Sequence, residues 1–346
     1  GCAELAAGAH AAAAEALRRA AALRPAAEAH FNFAVALFNL GDIERAIAEF
    51  DVVLGLDNET LRREALAAIA RLVPGSPGAD NAEVVRRRRA WAASVRPRSP
   101  LPRRRIAPIA GRKLRVGYVS AFFRGRNWMK PVWALINNHD RSRFEIHIFS
   151  DSEASAEECA GYRDRAEDYW HMVGGAANED LARYIAAREI DILVDLNGYS
   201  AQERLPLFMH RPAPIQAAWF GMYAPTGLDC FDLLIVDEAA FPREEDAFFA
   251  EEIVRLPGSY FTFEVGYAVP DVAPPPSTRG APFTFGSLGS HYKLTPSVIE
   301  AWAGILRAAP EARLLVKNRF LDNPANRAFL HDRFAALGVR RERILL

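Results

Sequence analysis

A lysine stands directly before a predicted helix in the stretch SLGSHYKLTPSVIEAWAGIL, residues 287–306. Thr295 is a good N-cap for that helix, which is well specified without the lysine. A cation beside the positive end of a helix dipole is mildly unfavourable unless an anion shares the site. Lys293, with Ser290 and His291 leading into it, therefore predicts an anion-binding loop at the helix N-terminus.

Both charged or titratable residues of this loop also have a structural alternative. Lys293 could be a solvated loop lysine, and His291 could be a surface residue that contacts no ligand. The order strand, polar loop and capped helix favours the anion-binding interpretation of Lys293, because backbone N–H groups converge at such a position.

Short β-branched or aromatic runs from residue 114 onward indicate strands, and helical or loop segments separate them. The pattern predicts an α/β sheet with helices on both faces. In such sheets ligands meet the loops that follow the C-terminal ends of the strands. The candidate substrate-binding residues in these loops are Asn127, Lys130, Asn197, Tyr199, Gly221 and Tyr223.

The first 73 residues are helical and repetitive. Small and apolar residues recur 33 positions further on: Gly8, Ala13 and Leu17 return as Gly41, Ala46 and Phe50. This spacing is close to the tetratricopeptide period of about 34 residues. We expect a concave helical surface that supplies no group to a ligand cleft.

The predicted domains are helical repeats at 1–73, a linker at 74–111, a first α/β lobe at 112–270 and the start of a second at 271–346. The arginines of the linker could form a patch for nucleic acid or an acidic partner, or the linker could be a solvated helix. The last strand, RILL, stops at the chain end, so we expect a C-terminally truncated second lobe and no turnover by this stretch alone.

Composition excludes several classes of protein. Lys plus Arg equals Asp plus Glu, at 43 each, so no excess charge favours nucleic acid. Cys2, Cys159 and Cys230 have no metal-ligand spacing. No stretch of about eighteen uncharged apolar residues exists. We expect a cytoplasmic protein that contacts neither membrane nor nucleic acid.

The known phosphate-binding and metal-binding motifs do not occur in the sequence. No GxGxxG follows a strand, and no GxxxxGK[ST] is present. The acidic DxD pair, by which many sugar-nucleotide enzymes hold a divalent ion, is also missing. A pyrophosphate would therefore have to be neutralised by Lys, Arg and helix N-termini, with no metal and no cofactor.

Several segments carry a family resemblance in unbroken order: LRVGYVS, HDRSRFEIHIFSD, DILVDLNGY, LFMHRPAPIQAAWFG, FDLLIVDE and SHYKLTPSVIEAWAGILRAAPEARLLVKN. Over residues 112–346 the chain resembles the O-linked N-acetylglucosamine transferase and SPINDLY family, glycosyltransferase family 41. The resemblance implies a GT-B fold of two Rossmann-like lobes, the second incomplete here, preceded by tetratricopeptide-like α-helical repeats. It also implies that the C-terminal lobe holds the UDP-sugar.

The implied activity is inverting, metal-independent transfer of a sugar, N-acetylglucosamine above all, from a UDP-sugar to protein Ser or Thr hydroxyls. The helical repeats would recruit the acceptor protein. Lys293 matches the family lysine that contacts the nucleotide phosphates, which gives it the catalytic role, and Ser290 sits where the family often has glutamine.

Two cleft loops depart from the family pattern, which leaves alternatives open. Ala121 stands where relatives commonly have an acid, and the run GMYAPTG replaces a YPGTSG-like one. The alternatives are transfer of glucose or another hexose to another protein acceptor such as Asn, and a non-catalytic tetratricopeptide adaptor with a degenerate transferase domain.

Overall fold

The structure, a computed structural model, describes residues 1–106, 108, 110–124, 128–152, 159, 161–163, 166–265 and 268–346. Its described residues form two compact units. The first unit combines residues 1–79 with 270–346, and the second contains residues 80–269. The predicted helical repeats and the predicted second lobe therefore belong to one compact unit.

The α-helices of the described chain lie before and between the strands. In chain order they are α1 (Cys2–Ala6), α2 (His10–Leu23), α3 (Ala27–Asn39), α4 (Ile43–Leu54), α5 (Glu59–Leu72), α6 (Asn81–Val95), α7 (Lys130–Asn137), α8 (Asn178–Ala186), α9 (Leu205–Met209), α10 (Pro296–Ala308) and α11 (Pro324–Ala336). None of the helices in the described ranges is long and apolar enough to span a membrane.

The strands pair in parallel throughout the described part of the chain. They are β1 (Leu114–Ser120), β2 (Phe144–Ser150), β3 (Tyr169–Met172), β4 (Ile192–Asp195), β5 (Ile215–Ala218), β6 (Leu233–Val236), β7 (Glu252–Arg255), β8 (Thr284–Ser287), β9 (Arg313–Val316) and β10 (Ile344–Leu345). Parallel strands joined by helices confirm the α/β prediction.

In the first unit, equivalent repeat positions have equivalent environments. Ala13 and Ala46 are fully buried, and Leu17 and Phe50 are 4% and 2% exposed. The two repeat glycines both adopt the left-handed conformation, with φ of 70° and 79°. Because the same positions turn and pack in both copies, the predicted helical repeats are confirmed.

The same unit contains a small sheet of order β10-β9-β8 beside α10 and α11. The Lys293 loop lies between strand β8 and helix α10 along the chain, as the sequence predicts.

The second unit has a sheet whose described strands run in the order β3-β2-β1-β4-β5-β6-β7. The chain proceeds outward from β1 to β3, returns to the centre, and then proceeds outward from β4 on the other side. This doubly wound order is that of a Rossmann-like lobe, and its switch point lies between β1 and β4. The loops after these two strands are therefore the expected place for a ligand.

The predicted linker differs from expectation because one face of its helix is buried. Helix α6 belongs to the second unit, and its Val84 and Trp91 are both 3% exposed. Arg88, in the middle of the arginine run, is completely buried. Neither a nucleic-acid patch nor a solvated helix accounts for a buried arginine.

Candidate functional site

The Lys293 loop leads directly into a capped helix. His291–Lys293 forms a short 3-10 turn, in which the backbone N–H of Lys293 donates to the carbonyl of the exposed Ser290 at 3.0 Å. Thr295 Oγ1 accepts from the backbone N–H of Val298 at 3.4 Å and caps α10. The Lys293 side chain is exposed and has no hydrogen bond or ion pair with any described residue. Its charge is thus available to an anion.

The repeat helices hold this loop in place. His291 Nε2 lies 3.0 Å from Asn39 Oδ1 at the end of α3, and Tyr292 stacks on Phe38 with ring centroids 5.2 Å apart. The His291 ring also stacks on Phe320 at 4.9 Å. His291 therefore contacts protein on several sides, which favours a positioning role over direct substrate binding.

Backbone contact reinforces these side-chain contacts. A Cβ atom on Gly41, which follows α3, would lie only 2.6 Å from the carbonyl oxygen of Leu294. Arg333 of α11 donates to the carbonyls of Leu40 and Leu294, at 3.4 and 3.3 Å. The expectation that the repeats supply no group to a ligand cleft stays a prediction, but α3 and its turn contact the residues on either side of Lys293.

Asn197 lies at the switch point of the second unit. Its side chain is completely buried, and Oδ1 accepts from the backbone N–H of Ala121 at 2.8 Å. Ala121 follows β1 and Asn197 follows β4, so this hydrogen bond ties together the two loops at which a ligand is expected.

The loops after β4 and β5 touch through their backbones. A Cβ on Gly198 would clash with the carbonyl of Gly221, and a Cβ on Gly221 would clash with the carbonyl of Leu196. Gly198 also has a positive φ of 51°. The predicted site residue Gly221 thus has a steric reason to be glycine, and it lies against the turn that begins at Asn197.

The two predicted tyrosines have different environments. Tyr199 is 1% exposed, and its hydroxyl donates to the carbonyl of Thr226 at 2.7 Å. Tyr223 is 47% exposed on the loop after β5. Tyr199 is therefore placed to support that loop, whereas Tyr223 can present its ring to a ligand.

The loop after β1 supplies the remaining candidates. Lys130 begins α7, and its Nζ lies 5.9 Å from the centroid of the Phe263 ring. Asn127 lies outside the described residues. Within the described ranges, no group of three or more His, Cys, Asp or Glu side chains is arranged to hold a metal ion.

Asp195, at the end of β4, escaped the sequence analysis. Its carboxylate is completely buried and accepts from the backbone N–H groups of Asn197 and Gly198, at 3.1 and 2.8 Å. Burial raises the pKa of Asp195 to about 7, although the two N–H donors act in the opposite direction and the nearby Asp151 adds to the rise. The signal in the sequence was an acid two residues before an Asn-Gly turn, a pattern typical of side-chain capping.

This carboxyl group should make stability depend on pH. Because its pKa is higher in the folded than in the unfolded chain, the folded state retains a proton that the unfolded state loses. Stability should therefore fall as the pH rises from about 4 to about 7, by at most about 1.4 kcal/mol per pH unit. The side chain of Asp195→Asn cannot ionise, so the variant should not lose stability over this range. The urea midpoint of the variant minus that of the parent should therefore increase between pH 5 and pH 8. Parallel midpoints for the two proteins would contradict the assignment.

Comparison with known protein families gives one clear match. The model of glycosyl transferase family 41 matches residues 97–271. The probable UDP-N-acetylglucosamine–peptide N-acetylglucosaminyltransferase SPINDLY of Oryza sativa subsp. japonica is 32% identical over 212 residues, which are 60% of this chain and 23% of that protein. The corresponding SEC protein of Arabidopsis thaliana is 28% identical over 214 residues, 59% of this chain and 22% of that protein.

A solved structure matches almost the whole chain. A mutant of the Thermobaculum terrenum O-GlcNAc transferase superimposes with a TM-score of 0.83 and 30% identity, covering 98% of this chain and 64% of that one. The chain thus spans about two thirds of the solved protein and about a quarter of the plant relatives.

Proposed function

The chain belongs to glycosyl transferase family 41, and we propose that the protein transfers N-acetylglucosamine from UDP-N-acetylglucosamine to Ser or Thr hydroxyls of acceptor proteins. The observation that carries the proposal is an exposed Lys293 at the capped N-terminus of α10, in a chain that superimposes over 98% of its length on an O-GlcNAc transferase. Such a position suits the diphosphate of a nucleotide sugar.

The proposed reaction requires little covalent work from the protein. The acceptor oxygen attacks the anomeric carbon and gives its proton to a base or to solvent, while the bond from that carbon to the diphosphate breaks and UDP leaves as an anion. Negative charge therefore grows on the diphosphate toward the transition state, where Lys293 and the α10 N-terminus would stabilise it. Inversion follows from in-line attack on the face opposite the leaving group.

Product analysis with the complete protein tests this proposal. We expect a mass increase of one N-acetylhexosamine on a peptide or protein acceptor, removable by β-elimination as an O-linked sugar should be. Transfer from UDP-glucose, or a product on Asn that resists β-elimination, would replace the proposal by the hexose alternative. Acceptor binding without UDP affinity or transfer would identify an adaptor.

The reaction should not require a divalent metal. The sequence lacks a DxD pair, and a lysine stands where the diphosphate charge would develop. Transfer by the complete protein should therefore keep its rate in excess EDTA. The check is to compare initial rates with EDTA, with Mg²⁺ and with Mn²⁺, and a strict requirement for either ion would contradict the expectation.

A further inference from the structure

Helix α6 carries four consecutive arginines at residues 86–89, and these arginines do not share one environment. Arg86 and Arg87 form ion pairs with Glu83, at 2.6 and 2.7 Å. Arg88 is completely buried. Burying a guanidinium is costly unless its hydrogen bonds replace those to water, and burial lowers the pKa of Arg88. Its contacts therefore indicate what the helix does.

The Arg88 guanidinium points at the loop of residues 221–227, which follows β5. Its Nη1 donates to the carbonyl oxygens of Tyr223, Ala224 and Pro225, at 3.1, 3.3 and 2.6 Å. One side chain thus gathers consecutive carbonyls of a loop that is more than a hundred positions away along the chain.

Tyr199 extends this arrangement. The guanidinium carbon of Arg88 lies 3.9 Å from the centroid of the Tyr199 ring, a cation–π contact, and the Tyr199 hydroxyl donates to the carbonyl of Thr226 at 2.7 Å. Trp91, one turn along α6 from Arg88, packs edge-on against Tyr199 at 5.4 Å. The carbonyls of residues 223–225 are therefore bound by Arg88 of α6, and that of Thr226 by Tyr199, which packs against α6.

The loop backbone is shaped to meet the helix. Gly227 has a φ of 67°, and a Cβ at this position would lie 2.5 Å from the Cβ of Arg88. Ala224 has a φ of 61°, in the left-handed region that is unfavourable for a residue other than glycine. A loop in such a conformation needs stabilising contacts. Arg88 supplies them through its hydrogen bonds to the carbonyl of Ala224 and to the carbonyls of the residues on either side.

We propose that Arg88 is a positioning residue, which fixes the loop of residues 221–227 and so presents the exposed Tyr223 ring at the C-terminal edge of the sheet. The same loop carries Gly221, which touches the turn after β4. Helix α6 precedes residues 97–271, the part of the chain that the family model matches. The consequence for sugar transfer rests on the proposed function.

Hydrogen exchange tests the positioning without relying on catalysis. In Arg88→Met the backbone amides of residues 221–227, Pro225 excepted, should exchange at least about tenfold faster than in the parent, because the loop carbonyls lose their hydrogen-bond donor and the loop opens more often. Arg86→Met, on the exposed side of the same helix, should leave this exchange unchanged. Equal exchange in Arg88→Met and the parent would overturn the proposal.

Kinetics of the complete protein test the consequence. We expect kcat/KM for a peptide acceptor to fall roughly tenfold to a hundredfold in Arg88→Met, with partial recovery in Arg88→Lys and an unchanged Kd for UDP. A purely structural role would instead lower the amount of folded protein while the specific activity stayed constant. Faster loop exchange with parental kcat/KM would also overturn the role in transfer.

Two outcomes would require a different variant or measurement. If Arg88→Met does not fold, Arg88→Lys and Gly227→Ala replace it, because the first removes the planar fork and the second pushes the loop away from α6. If the parent transfers no sugar, the proposed function fails, and loop exchange alone decides whether Arg88 fixes the loop.

Discussion

Replacing Lys293 by alanine in the complete protein should lower the turnover number for sugar transfer by about a hundredfold or more, the scale seen when one preorganised charge-stabilising group is removed. A cation about 4 Å from a diphosphate interacts by about 4 kcal/mol at an effective dielectric near 20, and desolvation removes part of this energy. The loss should fall mainly on turnover, because the leaving charge is larger in the transition state than in bound substrate.

Folding should not explain this loss. The Lys293 side chain is exposed, so its truncation should change the free energy of unfolding by no more than about 0.5 kcal/mol. The measurement is therefore kcat together with the thermal midpoint of the same preparation.

Comparison variants separate charge from shape. Lys293→Arg keeps the charge but changes its reach and geometry, so it should recover only part of the rate. Lys113→Ala is a matched control, because Lys113 is also exposed but precedes β1. It therefore lies at the N-terminal end of that strand, and not at the C-terminal ends where a ligand is expected. If Lys293→Ala transfers sugar at the parental rate with parental UDP affinity, Lys293 does not serve the diphosphate.

The elements that follow local patterns were predictable from the sequence. Strands β1 and β2 coincide with the runs LRVGYVS and FEIHIFS. Both are inner strands of the sheet, so consecutive residues of each are buried. The repeat positions Ala13 and Ala46 could be paired by spacing alone, since each packs against its own neighbouring helices. Thr295 was recognisable as a cap because capping is decided within one helical turn.

The elements that depend on distant partners were not predictable. Strand β3, YWHM, is not recognisable as a strand from the sequence, because it is an edge strand with partly exposed side chains and has no alternation of buried residues. Arg88 was read with its neighbours as part of a charged run, since nothing local distinguishes a buried arginine from a solvated one. Its Tyr199 partner was assigned to substrate binding for the same reason.

The support of the Lys293 loop is likewise non-local. His291 and Asn39 are 252 positions apart, and neither residue has a spacing or motif that would connect them. The sequence therefore assigned the repeats to acceptor recruitment only, whereas the structure places their turn directly against the loop. Recruitment of an acceptor by the repeats stays a prediction.

The contact between α3 and the Lys293 loop changes the expected effect of mutations in the repeats on sugar transfer. If they only recruited acceptor proteins, a change in them would reduce transfer to proteins and spare transfer to short peptides. Because α3 and its turn pack against His291, Tyr292 and Leu294, a change at that contact should reduce transfer to both kinds of acceptor.

Gly41→Ala is the sharpest such change. The new methyl group would meet the Leu294 carbonyl at 2.6 Å, so the residue next to Lys293 has to move or the turn has to shift. A displacement of this kind near the reacting groups should lower peptide and protein transfer alike by about tenfold or more, and should weaken UDP binding. The measurements are the Kd for UDP and the initial rates on both acceptors.

The equivalent glycine of the other repeat copy is the control. Gly8 has nearly the same backbone conformation, with φ of 70° against 79° for Gly41, but no heavy atom of the described residues beyond Gly8 and its chain neighbours lies within 4 Å of a Cβ placed there. Gly8→Ala therefore introduces the same left-handed strain, about 1 kcal/mol, without the clash. A difference between the two variants isolates the contact with Leu294. If both lower protein transfer and neither affects UDP binding or peptide transfer, the repeats act on the acceptor alone and do not position Lys293.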